Sequence, residues 1–129
     1  MSRSRYVPER GDVVWLQLDP QVGHEQAGRR PALTISPASY NGRVGLGVFC
    51  PVTNRGKGYP FEVPVPAGKG VTGVVMSDQM KSLDWRGRRA EFLAKLDEET
   101  VLEVVGRYLP LIDPDEMFGG GEADAPTGS

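Results

Sequence analysis

At 129 residues, with 39% apolar residues, 17 Gly and 11 Pro, the chain is sized for one domain with a real core and is too short for two. Its one cysteine, Cys50, has no internal disulfide partner, and Cys50 with the one histidine, His24, falls short of the four ligands of a structural zinc site. The net charge of -2 divides unevenly: residues 113–129 hold five acids and no base, and residues 1–96 carry 14 bases against 8 acids, a balance that suits polyanionic partners.

No run approaches the roughly 18 apolar residues of a membrane helix, and residues 1–8 lack the apolar stretch of a secretory signal, so a cytoplasmic protein is expected, with no membrane partner. The first apolar run, Val13-Val14-Trp15-Leu16-Gln17-Leu18, is β-branched and aromatic and predicts a strand that Asp19-Pro20 stops. Residues 19–30 have no apolar periodicity and predict a long polar loop, a frequent carrier of function. Residues 31–36 predict a second strand with Leu33 and Ile35 on one face and Thr34 and Ser36 on the other. Asn41-Gly42 reads as a tight turn. A third strand follows, with Leu46, Val48, Cys50 and Val52 as its aliphatic stripe and Gly45, Gly47, Phe49 and Thr53 on the other face.

Phe61-Glu62-Val63 and Val74-Val75-Met76 predict two more strands, with Pro64 placing the first at an edge. Shorter extended pieces are expected at 83–86 and 90–93. Asp97-Glu98-Glu99-Thr100 predicts a helix start capped by Asp97, and Val101, Val104, Val105 and Tyr108 form its apolar stripe. Pro110 is expected to stop this helix and Gly106 to admit a close neighbour. From Asp113 the composition cannot bury apolar area, so residues 1–112 read as the folded domain and 113–129 as an acidic, disordered tail. The pattern as a whole predicts a mainly β, α+β protein: a small antiparallel barrel-like sheet closed by one C-terminal helix.

Four segments carry a resemblance: residues 23–31 (Gly-His-Glu-Gln-Ala-Gly-Arg-Arg-Pro), Pro51-Val52-Thr53, residues 57–63 (Lys-Gly-Tyr-Pro-Phe-Glu-Val), and residues 78–86 (Asp-Gln-Met-Lys-Ser-Leu-Asp-Trp-Arg). In order and spacing they resemble the MazF/PemK family of toxin endoribonucleases, over Tyr6 to about Ile112. The resemblance implies an SH3-like, PemK-type barrel, a homodimer, cleavage of single-stranded RNA with no metal or other cofactor, and neutralisation by a cognate MazE-like antitoxin protein. Carried over residue by residue, it assigns catalytic roles to Arg30, Thr53 and Glu25. Ser36, Asn54, Lys57, Tyr59, Gln79, Lys81 and Arg86 are the expected substrate contacts, the Lys and Arg side chains through phosphate and Tyr59 through base stacking.

Cleavage without metal uses the substrate's own 2'-hydroxyl, so the protein must take a proton, stabilise a crowded phosphorane and return a proton to the leaving 5'-oxygen. A planar guanidinium at position 30 meets two phosphate oxygens at once, and a hydroxyl at position 53 donates where charge develops. Glu25 is the candidate base, with the imidazole of His24 as its rival. Tyr59 and Phe61 suit stacking on unpaired bases, Phe61 being equally suited to the core; Trp15 and Trp85 suit core or dimer contact. A rival of another class is a CcdB-like, gyrase-binding toxin on the same kind of barrel; the Gly-Glu-Ala-Asp-Ala-Pro-Thr-Gly-Ser ending lacks the aromatic end that such toxins use.

Overall fold

The computed structural model describes residues 6–18 and 28–115. Its elements run β1 (Asp12–Gln17), β2 (Arg29–Thr34), α1 (Ala38–Val44), β3 (Gly47–Thr53), β4 (Glu62–Pro64), β5 (Val74–Met76), a 3-10 turn (Ser77–Gln79), β6 (Lys81–Leu83), β7 (Glu91–Lys95) and α2 (Glu98–Ile112). All seven strands pair antiparallel, in the order β4-β5-β3-β2-β1-β7, with β6 also on β3. The expected antiparallel sheet with a C-terminal helix is present, and its ladder is open, ending at β4 and β7. Pro64 lies on the terminal strand β4, where a missing N–H removes no outer rung. Pro51 lies in the central strand, where β3 passes from pairing with β6 (to Phe49) to pairing with β5 (from Val52).

Period-two alternation splits the apolar residues between two faces. Val13, Leu33, Cys50, Val52, Val63, Val75 and Ala94 form one core with Val101 and Val104 of α2. Each of those two helix valines is fully buried, which contributes about 1.5–3 kcal/mol apiece. Asp97 caps the helix as the sequence predicts: Oδ1 accepts from the Thr100 N–H at 3.2 Å and from its hydroxyl at 2.7 Å. Val14, Leu16, Ala32, Phe49 and Trp85 form a second core on the opposite face. Phe49, on the face opposite the aliphatic stripe as expected, is fully buried because Trp85, from the β6–β7 connection, packs in the same core.

Other local expectations are corrected. Asn41-Gly42 lies inside α1, not in a turn. The Asn41 side chain is fully buried, donating to Pro8 O (2.8 Å) and Ser36 O (3.0 Å) and accepting from the Ser36 hydroxyl (2.6 Å); these distant partners outweigh local turn chemistry. The loop expected to reach residue 30 ends earlier, since Arg29 and Arg30 pair with Gln17 and Leu16 and so belong to β2. Of the piece expected at 83–86, only Leu83 is in a strand, β6; residues 85–89 turn, with Asp84 Oδ1 accepting from Gly87 N at 3.0 Å. Pro110 does not stop α2: it sits in the last turn, and the helix runs to Ile112, where Asp113 N donates to Leu109 O at 2.8 Å. A Cβ on Gly106 would meet nothing within 4 Å, so no neighbour approaches it. Residues 116–129, most of the expected acidic tail, lie outside the described residues, and no described helix is long and apolar enough to cross a membrane.

Candidate active site

The β2–β3 ladder pairs Thr34 with Phe49, Leu33 with Cys50 and Ala32 with Pro51. The last of these pairs leaves Arg30 of β2 and Thr53 of β3 each two residues further along its strand. Directly opposed residues of antiparallel strands project from the same face. Val14 pairs with Ala32 and Leu16 with Arg30, so that face is the one carrying the second core. By alternation Arg30 of β2 and Thr53 of β3 both fall on this face, beyond the last β2–β3 pair and past Phe49.

Neighbouring arginines behave differently because alternation turns them to opposite faces. Arg29 ion-pairs with Glu91 of β7 and reaches the Arg89 carbonyl. Arg30 is exposed, and among the described residues its guanidinium has no hydrogen-bond or ion-pair partner. Arg55 and Lys57, just beyond Thr53 in the chain, also lack a salt-bridge partner among the described residues. Such cations attract a polyanion.

Thr53 is held from several sides. Its Oγ1 accepts from the Arg55 N–H at 3.1 Å, which leaves the hydroxyl proton available as a donor. On the other side it pairs with Val74 of β5. Gly73, at φ +117, lets that strand approach: a Cβ there would stand 2.4 Å from the Thr53 carbonyl oxygen.

The loop 54–60 leaves Thr53 with a built-in frame. Asn54 Oδ1 accepts from the Thr72 hydroxyl at 3.1 Å, and the Tyr59 hydroxyl donates to Asp78 Oδ2 at 2.8 Å. That carboxylate raises the Tyr59 pKa, so the phenol keeps its proton. Tyr59 and Phe61 form a tilted ring pair with centroids 5.6 Å apart, and Tyr59 is 42% exposed. Arg107 of α2 donates to the Pro60 carbonyl.

Of the residues singled out from the sequence, the structure brings Arg30, Thr53, Asn54, Lys57 and Tyr59 to one end. Gln79 is exposed at the close of the 3-10 turn, and Lys81 lies opposite Phe49, midway along β3. Two residues do not join them. Ser36 lies six residues along β2 and beyond, about 20 Å of extended chain from Arg30, with its hydroxyl engaged by Asn41 and by the Val48 N–H at 2.8 Å. Arg86 stacks over Trp85 at 4.5 Å and lies beside Gly45, at the opposite end of β3 from Thr53. Glu25 and His24 lie outside the described residues. Cys50 is no nucleophile candidate: burial pushes its thiol up to about 12. Among the described residues no group of three or more His, Cys, Asp or Glu side chains could hold a metal ion. The sequence reading missed Gly73, which lets β5 approach the Thr53 backbone, and Glu62, which accepts from the Lys57 and Gly58 N–H groups; the one signal was an acid between Phe61 and Val63.

Residues 9–108 match the family model described as PemK-like, MazF-like toxin of type II toxin-antitoxin systems. The chain belongs to this family. It is 51% identical over 87 residues to the Endoribonuclease toxin MazF of Escherichia coli K12, covering 67% of this chain and 78% of that one. Endoribonuclease PemK of Escherichia coli is 39% identical over 108 residues, with 81% of each chain covered. Among solved structures, MazF in a MazE-MazF crystal from Deinococcus radiodurans superposes with a TM-score of 0.79 at 57% identity, covering 84% of this chain and 98% of that one. These matches favour the endoribonuclease toxins over the CcdB-like alternative.

Proposed function

We infer that this chain is an endoribonuclease toxin that cuts single-stranded RNA at a short sequence with no metal, using the substrate's 2'-hydroxyl as nucleophile. The observation that carries the reading is the placement of Arg30 and Thr53, each two residues past the last β2–β3 pair and on the same side by alternation, in a chain of this family. Among the described residues Arg30 has no partner to give up, so its planar fork suits two phosphate oxygens. Thr53, fixed by β5 and its own turn, donates its hydroxyl proton to a non-bridging oxygen as negative charge builds there. A donor of that kind contributes about 2.7–4 kcal/mol to the barrier. The 2'-oxygen forms a bond to phosphorus as its proton passes to Glu25 or, alternatively, His24; the bond to the 5'-oxygen breaks as that oxygen takes a proton from water. The products are a 2',3'-cyclic phosphate and a 5'-hydroxyl end.

Asn54, Lys57 and Tyr59 line the exit from Thr53 as contacts to the RNA strand, with Gln79 and Lys81 further along the same edge of β3. Ser36 and Arg86 have no place in this arrangement. The protein works in the cytoplasm as a homodimer and is neutralised by a protein antitoxin; MazE-MazF crystals of a relative support that partner. Incubation of purified protein with a long single-stranded RNA in EDTA tests the reading. Cutting at a repeated short sequence, lost in Arg30→Ala, supports it; cutting that requires added metal, or survives that change, refutes it.

A further inference from the structure

Glu62 lies on β4 opposite Met76 and is only 9% exposed, yet no cation among the described residues pairs with it. A buried carboxylate needs donors, and here they come from main chain: Oε1 accepts from Lys57 N at 3.1 Å and Gly58 N at 3.0 Å, and Oε2 from Lys57 N at 2.9 Å. Two successive N–H groups turned toward one acid form a small anion cradle, with Gly58 at φ +80 supplying the turn. Gly56 closes the packing, since a Cβ there would stand 3.1 Å from Glu62 Oε1 and 3.2 Å from a Val74 methyl, and Val74 is the partner of Thr53. The carboxylate therefore ties the middle of the 54–60 loop to the strands that hold Thr53. Because it fills the cradle, phosphate cannot take those N–H groups, and Lys57 is left to meet RNA through its ammonium alone.

We propose that Glu62 is a positioning residue for RNA binding, acting through the Lys57 and Gly58 main chain to aim Lys57 and Tyr59 at the strand that leaves Thr53. The proposal rests on the reading that Lys57 and Tyr59 touch RNA. In Glu62→Gln, one acceptor oxygen remains and an NH2 group faces the loop donors. Affinity for a single-stranded RNA carrying deoxyribose at the mapped cut site is expected to fall about tenfold. KM rises in step while kcat stays within about twofold, and the Lys57 and Gly58 amides exchange faster with solvent while those of β1–β3 do not. Gly58→Ala provides a second route: its Cβ meets nothing within 4 Å, but φ +80 strains it, so the loop shifts with the carboxylate untouched and the same KM defect follows. In a Lys57→Ala, Tyr59→Ala background, adding Glu62→Gln changes affinity by less than twofold. Folded Glu62→Gln with unchanged affinity, where Lys57→Ala and Tyr59→Ala each weaken binding, overturns the proposal and leaves the RNA contacts standing; so do losses that multiply in the triple variant. Unchanged affinity in Lys57→Ala and Tyr59→Ala removes the contacts and the proposal together. If Glu62→Gln does not fold, Gly58→Ala decides alone, with a normal KM as the overturning result.

Discussion

Gly73→Ala tests how tightly catalysis depends on the backbone behind Thr53. A methyl at this position would lie 2.4 Å from the Thr53 carbonyl oxygen and 2.9 Å from its carbon, against backbone that has no flexible end to swing aside. Real Cβ atoms keep beyond 3.0 Å, so β3 and β5 must part by more than half an ångström at the pair that fixes Thr53. The φ of +117 adds backbone strain of about 1–3 kcal/mol. A misplacement approaching 1 Å costs up to about 100-fold in rate. Gly68→Ala is the matched control: its φ of +81 carries strain, but a Cβ there meets nothing within 4 Å. Both variants should melt several degrees lower, and only Gly73→Ala should lose kcat, by about 10–100-fold on a single-stranded RNA assayed well below either melting temperature. Equal kcat in the two variants, with Gly73→Ala melting lower, would refute the idea that β5 sets the position of Thr53.

Thr53→Ala should reduce kcat by about 100–1000-fold with the fold intact, and Thr53→Ser should restore most of it, since the serine keeps the donor. Arg30→Ala should lose activity to a similar extent and also weaken binding of non-cleavable RNA with a shallower salt dependence, whereas Thr53→Ala should bind normally; filter binding over a salt series separates the two. Glu25→Gln should abolish the acid limb of the pH-rate profile while His24→Ala leaves it, and the opposite result moves the base to His24. Acid unfolding has a worked sign: Thr100 hydrogen bonds to Asp97 and Arg10 hydrogen bonds to Glu98 hold both carboxyls below their ordinary 3.8 and 4.5. Their contribution is present above those values and is lost as pH falls through the lower folded ones. Arg10→Ala should therefore reduce the melting temperature at pH 7 more than at pH 2.5, measured by calorimetry.

The strands around Val13, Val48, Val63 and Val75 were legible because burial at period two or in short β-branched runs is written locally. The α2 start was legible because Asp97 and Thr100 cap within one turn. What escaped was decided at long range. Asn41 becomes helical through Pro8 and Ser36, Phe49 is buried by Trp85, and Arg30 is extended because Leu16 pairs with it. The candidate site divides in the same way. Arg30 and Thr53 are visible in the sequence as residues of motifs, while the face each occupies depends on a strand register that no local pattern contains. Ser36 was a candidate contact, but its hydroxyl is spent on α1 and β3. Glu62 was hidden for another reason: it works on main-chain N–H groups, which leave no trace in the side chains of residues 57 and 58.

The central claim is that the RNA's own 2'-hydroxyl, aided by Arg30 and Thr53, breaks the chain. The most direct measurement compares two otherwise identical single strands in EDTA, one all RNA and one with a single deoxyribose on the 5' side of the mapped cut. The account predicts that the first is cut to a 2',3'-cyclic phosphate and a 5'-hydroxyl end, and that the second binds with similar affinity and stays whole. Cleavage of the deoxyribose strand at that site, or 5'-phosphate ends from the first, would contradict it.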